Sequence, residues 1–209
     1  LGGVLDARTL NEGADARALL EPILNGSAPP DGVFFSGMRW TGGSAIRQAM
    51  AALGSLETPY LVWDSMLDGP GNQDDTYISE VGVDLARNTY ASHAAPPDPR
   101  FSIVDAYRTR FGTDAGEWSA GAYACIEIFF EALRATASPA FTSTQLREAA
   151  RRYAVDTSRR YETAVGNIGF DQNGDNLRQF VGIYRVDPSA AGGAGDWALV
   201  KKQDYGPAP

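Results

Sequence analysis

The sequence holds one cysteine, Cys125, and one histidine, His93. A lone cysteine excludes an internal disulfide and any cysteine-cluster metal site. A lone histidine removes the paired imidazoles on which most histidine catalysis and histidine-rich metal binding rest. No stretch comes near the ~18 uninterrupted apolar residues of a membrane-spanning helix, since the most apolar helical run is broken by Glu127 and Glu131. Lysine is confined to Lys201 and Lys202, and the remaining basic residues are arginine, a bias read as compositional. Basic charge as a whole is in deficit, 18 Lys and Arg against 26 Asp and Glu for a net charge of -8. A field of that sign repels phosphate backbones and anionic headgroups, so nucleic acid is excluded as a partner and a peripheral membrane role is disfavoured. The single cysteine does not fix the redox compartment. The sequence begins at Leu1 with no charged segment leading into an apolar one, so any signal peptide is expected to have been removed or to lie outside these residues.

What is present suits a folded protein. The 209 residues are 44% hydrophobic, enough for one large domain or two small lobes with real cores. Val4 and Leu5 read as a short buried strand, and Ala14 to Leu24 as a helix with Ala18, Leu19, Ile23 and Leu24 on one stripe and Asn25-Gly26 as its stop. Val33-Phe34-Phe35 is a continuous apolar run, as for a strand buried on both faces. Thr41-Gly42-Gly43-Ser44 opens a helix through Ala52 that Gly54 ends, and Pro59 to Trp63 is a further short strand. This β-α-β-α-β order argues for a parallel, doubly wound α/β sheet whose ligand site lies beyond the carboxyl ends of its strands.

Further on, Thr76 to Val81 reads as a short helix and Asn88 to Ala94 as a strand. Ala95-Pro96-Pro97-Asp98-Pro99 is the most linker-like run and marks a lobe boundary. Helices are expected over Ile103 to Phe111, Ser119 to Ala135 and Ser143 to Tyr153, the second apolar enough to be deeply packed and the third capped by Ser143. Asn167 to Phe170, the turn Asp171 to Asp175 and Gln179 to Val186 read as a hairpin, and Trp197 to Val200 as a last strand.

The motif order resembles the branched-chain amino-acid type of periplasmic binding protein, type I, the solute receptor of an ABC importer. The resemblance runs over nearly the whole chain. It rests on Ala14-Asp15-Ala16-Arg17-Ala18-Leu19-Leu20 before Asp31-Gly32-Val33-Phe34-Phe35-Ser36-Gly37, on Ile46-Arg47-Gln48-Ala49 with Gly54, and on Ala106-Tyr107-Arg108-Thr109-Arg110-Phe111-Gly112. Ala120 to Cys125 continues it, and Gly169-Phe170-Asp171-Gln172-Asn173-Gly174-Asp175 with Val181 to Val186 and Trp197 is its strongest piece. The resemblance implies a type I α/β fold with most of the N-terminal lobe absent. Residues 1–94 and 180–209 would form the C-terminal, ligand-binding lobe, and 95–179 a segment returning to the N-terminal lobe.

Asp64 directly follows the strand ending in Trp63, where an open sheet presents groups to a ligand, and in the resembling family an acid at this strand end holds the ammonium of an amino acid. Capping of the following loop is the alternative. Trp63, Met38 and Trp40 are candidates for an apolar wall and Arg39 for facing a ligand carboxylate or another acid, although core packing is the commoner fate of any one of them. Thr41 to Ser44 as an anion cradle is weaker than helix capping, and Asp171 to Asp175 is a turn before it is a calcium loop. His93 and Cys125 receive no catalytic role, Cys125 being read as a buried inert thiol. Arg151-Arg152 and Arg159-Arg160 read as solvated helix ends rather than an anion site or permease contact.

A non-enzymatic receptor follows: a small amino-acid-like solute bound between two lobes, a membrane permease as partner, a periplasmic or surface-anchored location and no cofactor. A ligand-sensing ectodomain of a receptor or kinase with the same fold is the second reading. An α/β enzyme is disfavoured, because there is no nucleophile elbow, phosphate loop or second histidine.

Overall fold

The computed structural model describes residues 15–67, 76–94, 103–112, 118–178 and 180–204. The expected strand around Val4 and Leu5 and the proline run at 95–99 lie outside them. By contacts the chain divides into two compact units, Leu1–Ala94 with Val181–Gln203 and Ala95–Phe180 with Asp204–Pro209.

The first unit is built on a five-stranded sheet in the order β1-β2-β3-β6-β7, comprising β1 (Val33–Phe35), β2 (Tyr60–Val62), β3 (Thr89–Ala94), β6 (Phe180–Asp187) and β7 (Asp196–Asp204). β1 and β2 run parallel with Phe35 beside Val62, and β2 and β3 run parallel with Val62 beside Ala91. β6 is antiparallel to β3, His93 facing Gly182. The first three strands are ordered in space as in sequence. Right-handed crossovers therefore place the intervening helices, α2 (Gly43–Ala52), α3 (Tyr77–Val81) and α4 (Val83–Ala86), on one face of the sheet.

One core results. α1 (Ala16–Leu24) starts at Asp15, whose carboxylate accepts the amides of Arg17 at 2.9 Å and Ala18 at 3.3 Å, and it buries Ala16, Leu20 and Leu24 at a spacing of four. α2 packs beside it with Ile46, Ala49 and Met50, and ends where Gly54 takes φ +74°, a conformation that only glycine holds without strain. Tyr60, Val62, Ala91, Tyr184 and Val186 meet these helices from the sheet. The strand Val33–Phe35 is not buried on both faces as expected. Phe34 is 61% exposed, because the side of β1 and β2 away from this core is uncovered among the described residues, and Leu61 shares that side.

Arg47 holds the core together and is fully buried. Its Nε donates to the Leu85 carbonyl at 2.6 Å, while Nη2 donates to Leu56 at 3.1 Å and to Arg87, and Nη1 to Thr58 at 3.5 Å. One guanidinium on α2 thus satisfies carbonyls in the segments leading into both β2 and β3. Nearby, the Tyr60 hydroxyl donates to the Gly43 carbonyl at 2.9 Å, and Tyr77 shares a hydrogen bond with Thr89 at 2.9 Å.

The second unit comprises α5 (Ile103–Phe111), α6 (Ser119–Thr136), α7 (Ser143–Ala154), β4 (Tyr161–Thr163) and β5 (Gly166–Ile168). α6 packs on α7 and β4. Three expectations are corrected here. Thr142 rather than Ser143 caps α7, because Gln145 three residues on returns the bond: the Gln145 amide donates to the Thr142 hydroxyl and the Thr142 amide to Gln145 Oε1. β5 pairs with β4, not with the strand after the turn, which joins β3 and β7 instead. α6 is not deeply packed all round: Tyr123, Ile126, Phe129 and Phe130 are exposed, and so is Cys125. Among the described residues no helix is long and apolar enough to cross a membrane.

Two outcomes follow from this core. Replacing Arg47 by Met strands several buried carbonyls and is expected to destabilise the protein by about 3 kcal/mol, with Lys intermediate, read as a lowered urea midpoint at unchanged slope. Burial pushes the Tyr77 hydroxyl up to about 12 and Tyr60 higher still, Tyr77 adding to the latter shift. Both folded-state values lie above the unfolded one. Stability should therefore be level below about pH 10 and fall above it, as the unfolded tyrosines ionise while these two cannot. Absorbance at 295 nm should show two of the nine tyrosines ionising only with alkaline unfolding.

Candidate functional site

The carboxyl ends of β1 and β2 lie side by side, and the chain leaves each through a single 3-10 turn, Arg39–Thr41 after β1 and Asp64–Met66 after β2. In the first turn the Thr41 hydroxyl donates to the Met38 carbonyl at 2.8 Å and accepts the Met38 amide at 2.9 Å. That double contact fixes the backbone between the two side chains of interest, Met38 and Trp40. Gly42, at φ +120°, then turns the chain into α2. Gly43 leaves room for the buried thioether of Met66, which a Cβ there would force to shift. The two turns are also tied to each other, Ser65 Oγ donating to the Gly37 carbonyl at 3.0 Å.

The five residues singled out in the sequence fall into two groups. Met38, Trp40 and Trp63 project from these turns with 47%, 71% and 52% of their surface exposed, so the core does not claim them. Asp64 opens the second turn. Its backbone carbonyl accepts the Leu67 amide at 2.9 Å, while its half-buried carboxylate has no hydrogen-bond or ion-pair partner among the described residues. Arg39 is oriented differently. Its guanidinium lies 2.7 Å from the carboxylate of Glu80 on α3, with 10% of the side chain exposed, so the acid it faces belongs to the protein.

Glu80 had no signal in the sequence. It joins Arg39 and also accepts from the Ser44 hydroxyl in the first turn of α2, contacts 41 and 36 residues away in the chain. The start of α2 is thereby supplied with an internal carboxylate, which is where the helix dipole favours negative charge, and neither Thr41 nor Ser44 caps α2 with its side chain. Only the placement of α3 over the start of α2 reveals this role.

The other candidates are structural. His93 is buried on β3, its Nδ1 3.1 Å from the Ala94 carbonyl and its ring edge-on to Tyr184 at 6.3 Å. Asp171 organises a turn, one carboxylate oxygen accepting the amides of Asn173 at 2.8 Å and Asp175 at 3.0 Å. Arg151 pairs with Glu148 at 2.8 Å, and Arg159 lies over the Tyr153 ring at 3.5 Å.

No protein-family model matches the sequence, and no curated protein matches it at the level of sequence. Solved structures do match in fold. The leucine-, isoleucine-, valine-, threonine- and alanine-binding protein of Brucella ovis is 16% identical over 97% of this chain and 50% of its own, with a TM-score of 0.65. A putative branched-chain amino-acid ABC transporter protein of Rhodospirillum rubrum is 20% identical over 90% of this chain and 49% of its own, at 0.61. A solute-binding protein of an ABC transporter from Rhodopseudomonas palustris, solved with 3,4-dihydroxybenzoic acid, is 23% identical over 93% and 50%, at 0.54. The chain thus spans about half the length of these proteins. Its fold, with a parallel-rich α/β sheet and the C-terminal strands returning beside β3, is that of the type I periplasmic binding proteins.

Proposed function

We propose that the carboxyl edge of the first unit is one wall of a site for a small solute, and that the protein is the extracytoplasmic receptor of an ABC importer. The observation that carries this reading is the gathering, at the ends of two adjacent parallel strands, of the Asp64 carboxylate, without a partner among the described residues, and the exposed Met38, Trp40 and Trp63. Large apolar side chains around one convergent polar group are the composition of a small-molecule site. The solved neighbours support the class of ligand: one holds isoleucine, another leucine, another 3,4-dihydroxybenzoic acid. Each of these molecules has a compact apolar body and a charged end.

In this reading Asp64 accepts the ammonium of an amino-acid-like solute through charge-assisted hydrogen bonds. Trp63, Met38 and Trp40 cover its apolar body. Arg39, neutralised by Glu80, positions the loop that carries Met38 and Trp40 rather than gripping a ligand carboxylate. Residues 1–94 and 180–209 serve as the C-terminal lobe and 95–179 as part of the N-terminal lobe. Closure of such lobes draws on the solute's higher affinity for the closed form, and the permease reads that form. No bond is made or broken.

A thermal-shift screen of the full-length gene product, first stripped of ligand, against aliphatic amino acids, small carboxylates, benzoate and 3,4-dihydroxybenzoate tests this. An amino acid at about a hundred times its Kd is expected to add about 2.7 kcal/mol of stability. Asp64→Asn should weaken binding about tenfold or more, as loss of a charge-assisted bond implies. Stabilisation by aromatic acids alone, indifferent to Asp64→Asn, removes the ammonium role, and no stabilisation by any solute overturns the receptor.

A further inference from the structure

Two asparagines are followed by glycine, Asn25-Gly26 at the end of α1 and Asn173-Gly174 in the turn that Asp171 organises. In such a pair the backbone nitrogen of the second residue can attack the side-chain amide carbon of the first. Glycine, without a Cβ, hinders that approach least. The structure treats the two pairs differently.

At Asn173-Gly174 the reacting groups are occupied. The Gly174 amide donates to the Asp171 carbonyl at 3.1 Å and the Asn173 amide to Asp171 Oδ1 at 2.8 Å, while Asn173 Nδ2 lies 3.5 Å from Asp171 Oδ2. The attacking nitrogen is engaged, and the carboxylate beside it opposes the loss of its proton. At Asn25-Gly26 no such hold exists. Residues 25–29 are all exposed, and neither the Gly26 amide nor the Asn25 side chain makes a hydrogen bond among the described residues. Asn25 stands at φ -100° and ψ 7°, its own amide donating to the Glu21 carbonyl at 3.0 Å. Bringing the Gly26 nitrogen against the side chain requires ψ of Asn25 to turn, which leaves that bond in place and displaces the exposed run that follows. The last turn of α1 is also weakly tied, because Pro22 inside it has no amide to donate to the carbonyl one turn back.

We propose that Asn25 is a site of spontaneous deamidation, with water as the co-reactant. The Gly26 nitrogen gives its proton to solvent and bonds to Asn25 Cγ, the Cγ–Nδ2 bond breaks, and Nδ2 takes up a proton and leaves as ammonia. Water then adds to one of the two carbonyl carbons of the resulting five-membered imide and the ring C–N bond at that carbon breaks. Opening at Cγ gives aspartate, and opening at the backbone carbonyl gives isoaspartate with one more carbon in the main chain. No electrons are transferred. Either product sets a carboxylate at the negative end of the α1 dipole, where the last turn has no basic residue to offset it. The site is independent of the solute reading, since it acts on the connection from α1 to β1 and not on the strand exits.

The test keeps the purified protein warm at neutral pH in heavy-oxygen water and follows both asparagines by peptide mapping with fragmentation that separates aspartate from isoaspartate. The peptide carrying Asn25 should gain a labelled carboxylate and divide into the two forms, while Asn173 converts at least about tenfold more slowly. In denaturing urea, where the turn around Asp171 is lost, the two rates should converge. Asn25→Asp should unfold at a lower urea midpoint than the parent at unchanged slope, and Asn25→Gln at the parent's midpoint. Conversion of Asn173 as fast as Asn25 in the folded protein overturns the proposal. So does an Asn25 that stays intact when folded although it reacts in urea.

Discussion

Arg47 is the constraint on which the first unit depends. A guanidinium is costly to remove from water, and burial here depresses the proton affinity of this side chain. It is kept because its planar fork donates at once to Leu56, Thr58, Leu85 and Arg87, carbonyls that the two strand-entry segments leave without strand partners. A lysine cannot span that set, and an apolar residue would leave it orphaned. Because all four acceptors are neutral, the residue acts as a many-handed backbone cap rather than half of a salt bridge. With α2 fixed to the entries of β2 and β3, the exits of β1 and β2 have a defined frame.

At those exits a second polar device works from the opposite side. Glu80 reaches across from α3 to Arg39 and Ser44. That carboxylate is shared between the Arg39 guanidinium and the Ser44 hydroxyl, and it offsets the charge of Arg39. Asp64 opens the turn after β2, and Met38, Trp40 and Trp63 stand exposed at the same strand ends. The arginine at this edge is thus taken up by a carboxylate of the protein itself, with 10% of its side chain exposed.

Much of the first unit was legible in the sequence because its signals are local. Asn25-Gly26 and Gly54 after helical runs, and the runs Val33–Phe35 and Pro59–Trp63, each declare an element within a few residues. Asp15, which caps α1, reads instead as part of the helix, and Ala18 of the expected stripe is exposed, the buried positions being Ala16, Leu20 and Leu24. The placement of the candidate residues was legible to the extent that it follows from strand ends: Met38 and Trp63 lie where β1 and β2 stop. Arg47 and Glu80 were not, since a charged residue on a helix reads as solvated until a segment tens of residues away is known to cover it. β4 was hidden for a related reason: Tyr161–Thr163 is too short to show alternation and is defined by its pairing with Gly166–Ile168.

The misreadings of Phe34 and of α6 share a cause. Apolar composition reports how much surface a segment needs to bury, not whether the covering element lies in the same stretch of sequence. A strand reading Val-Phe-Phe and a helix carrying Tyr123, Ile126, Phe129 and Phe130 are composed for two-sided cover, and among the described residues each has it on one side. In the sheet the reason is topological. Strands laid down in order by crossovers of one hand collect their helices on one face, and covering the other requires a crossover that runs the opposite way. A doubly wound sheet needs chain on both sides of its first strand, so the residues that read as over-hydrophobic are those whose cover must come from a segment that winds back.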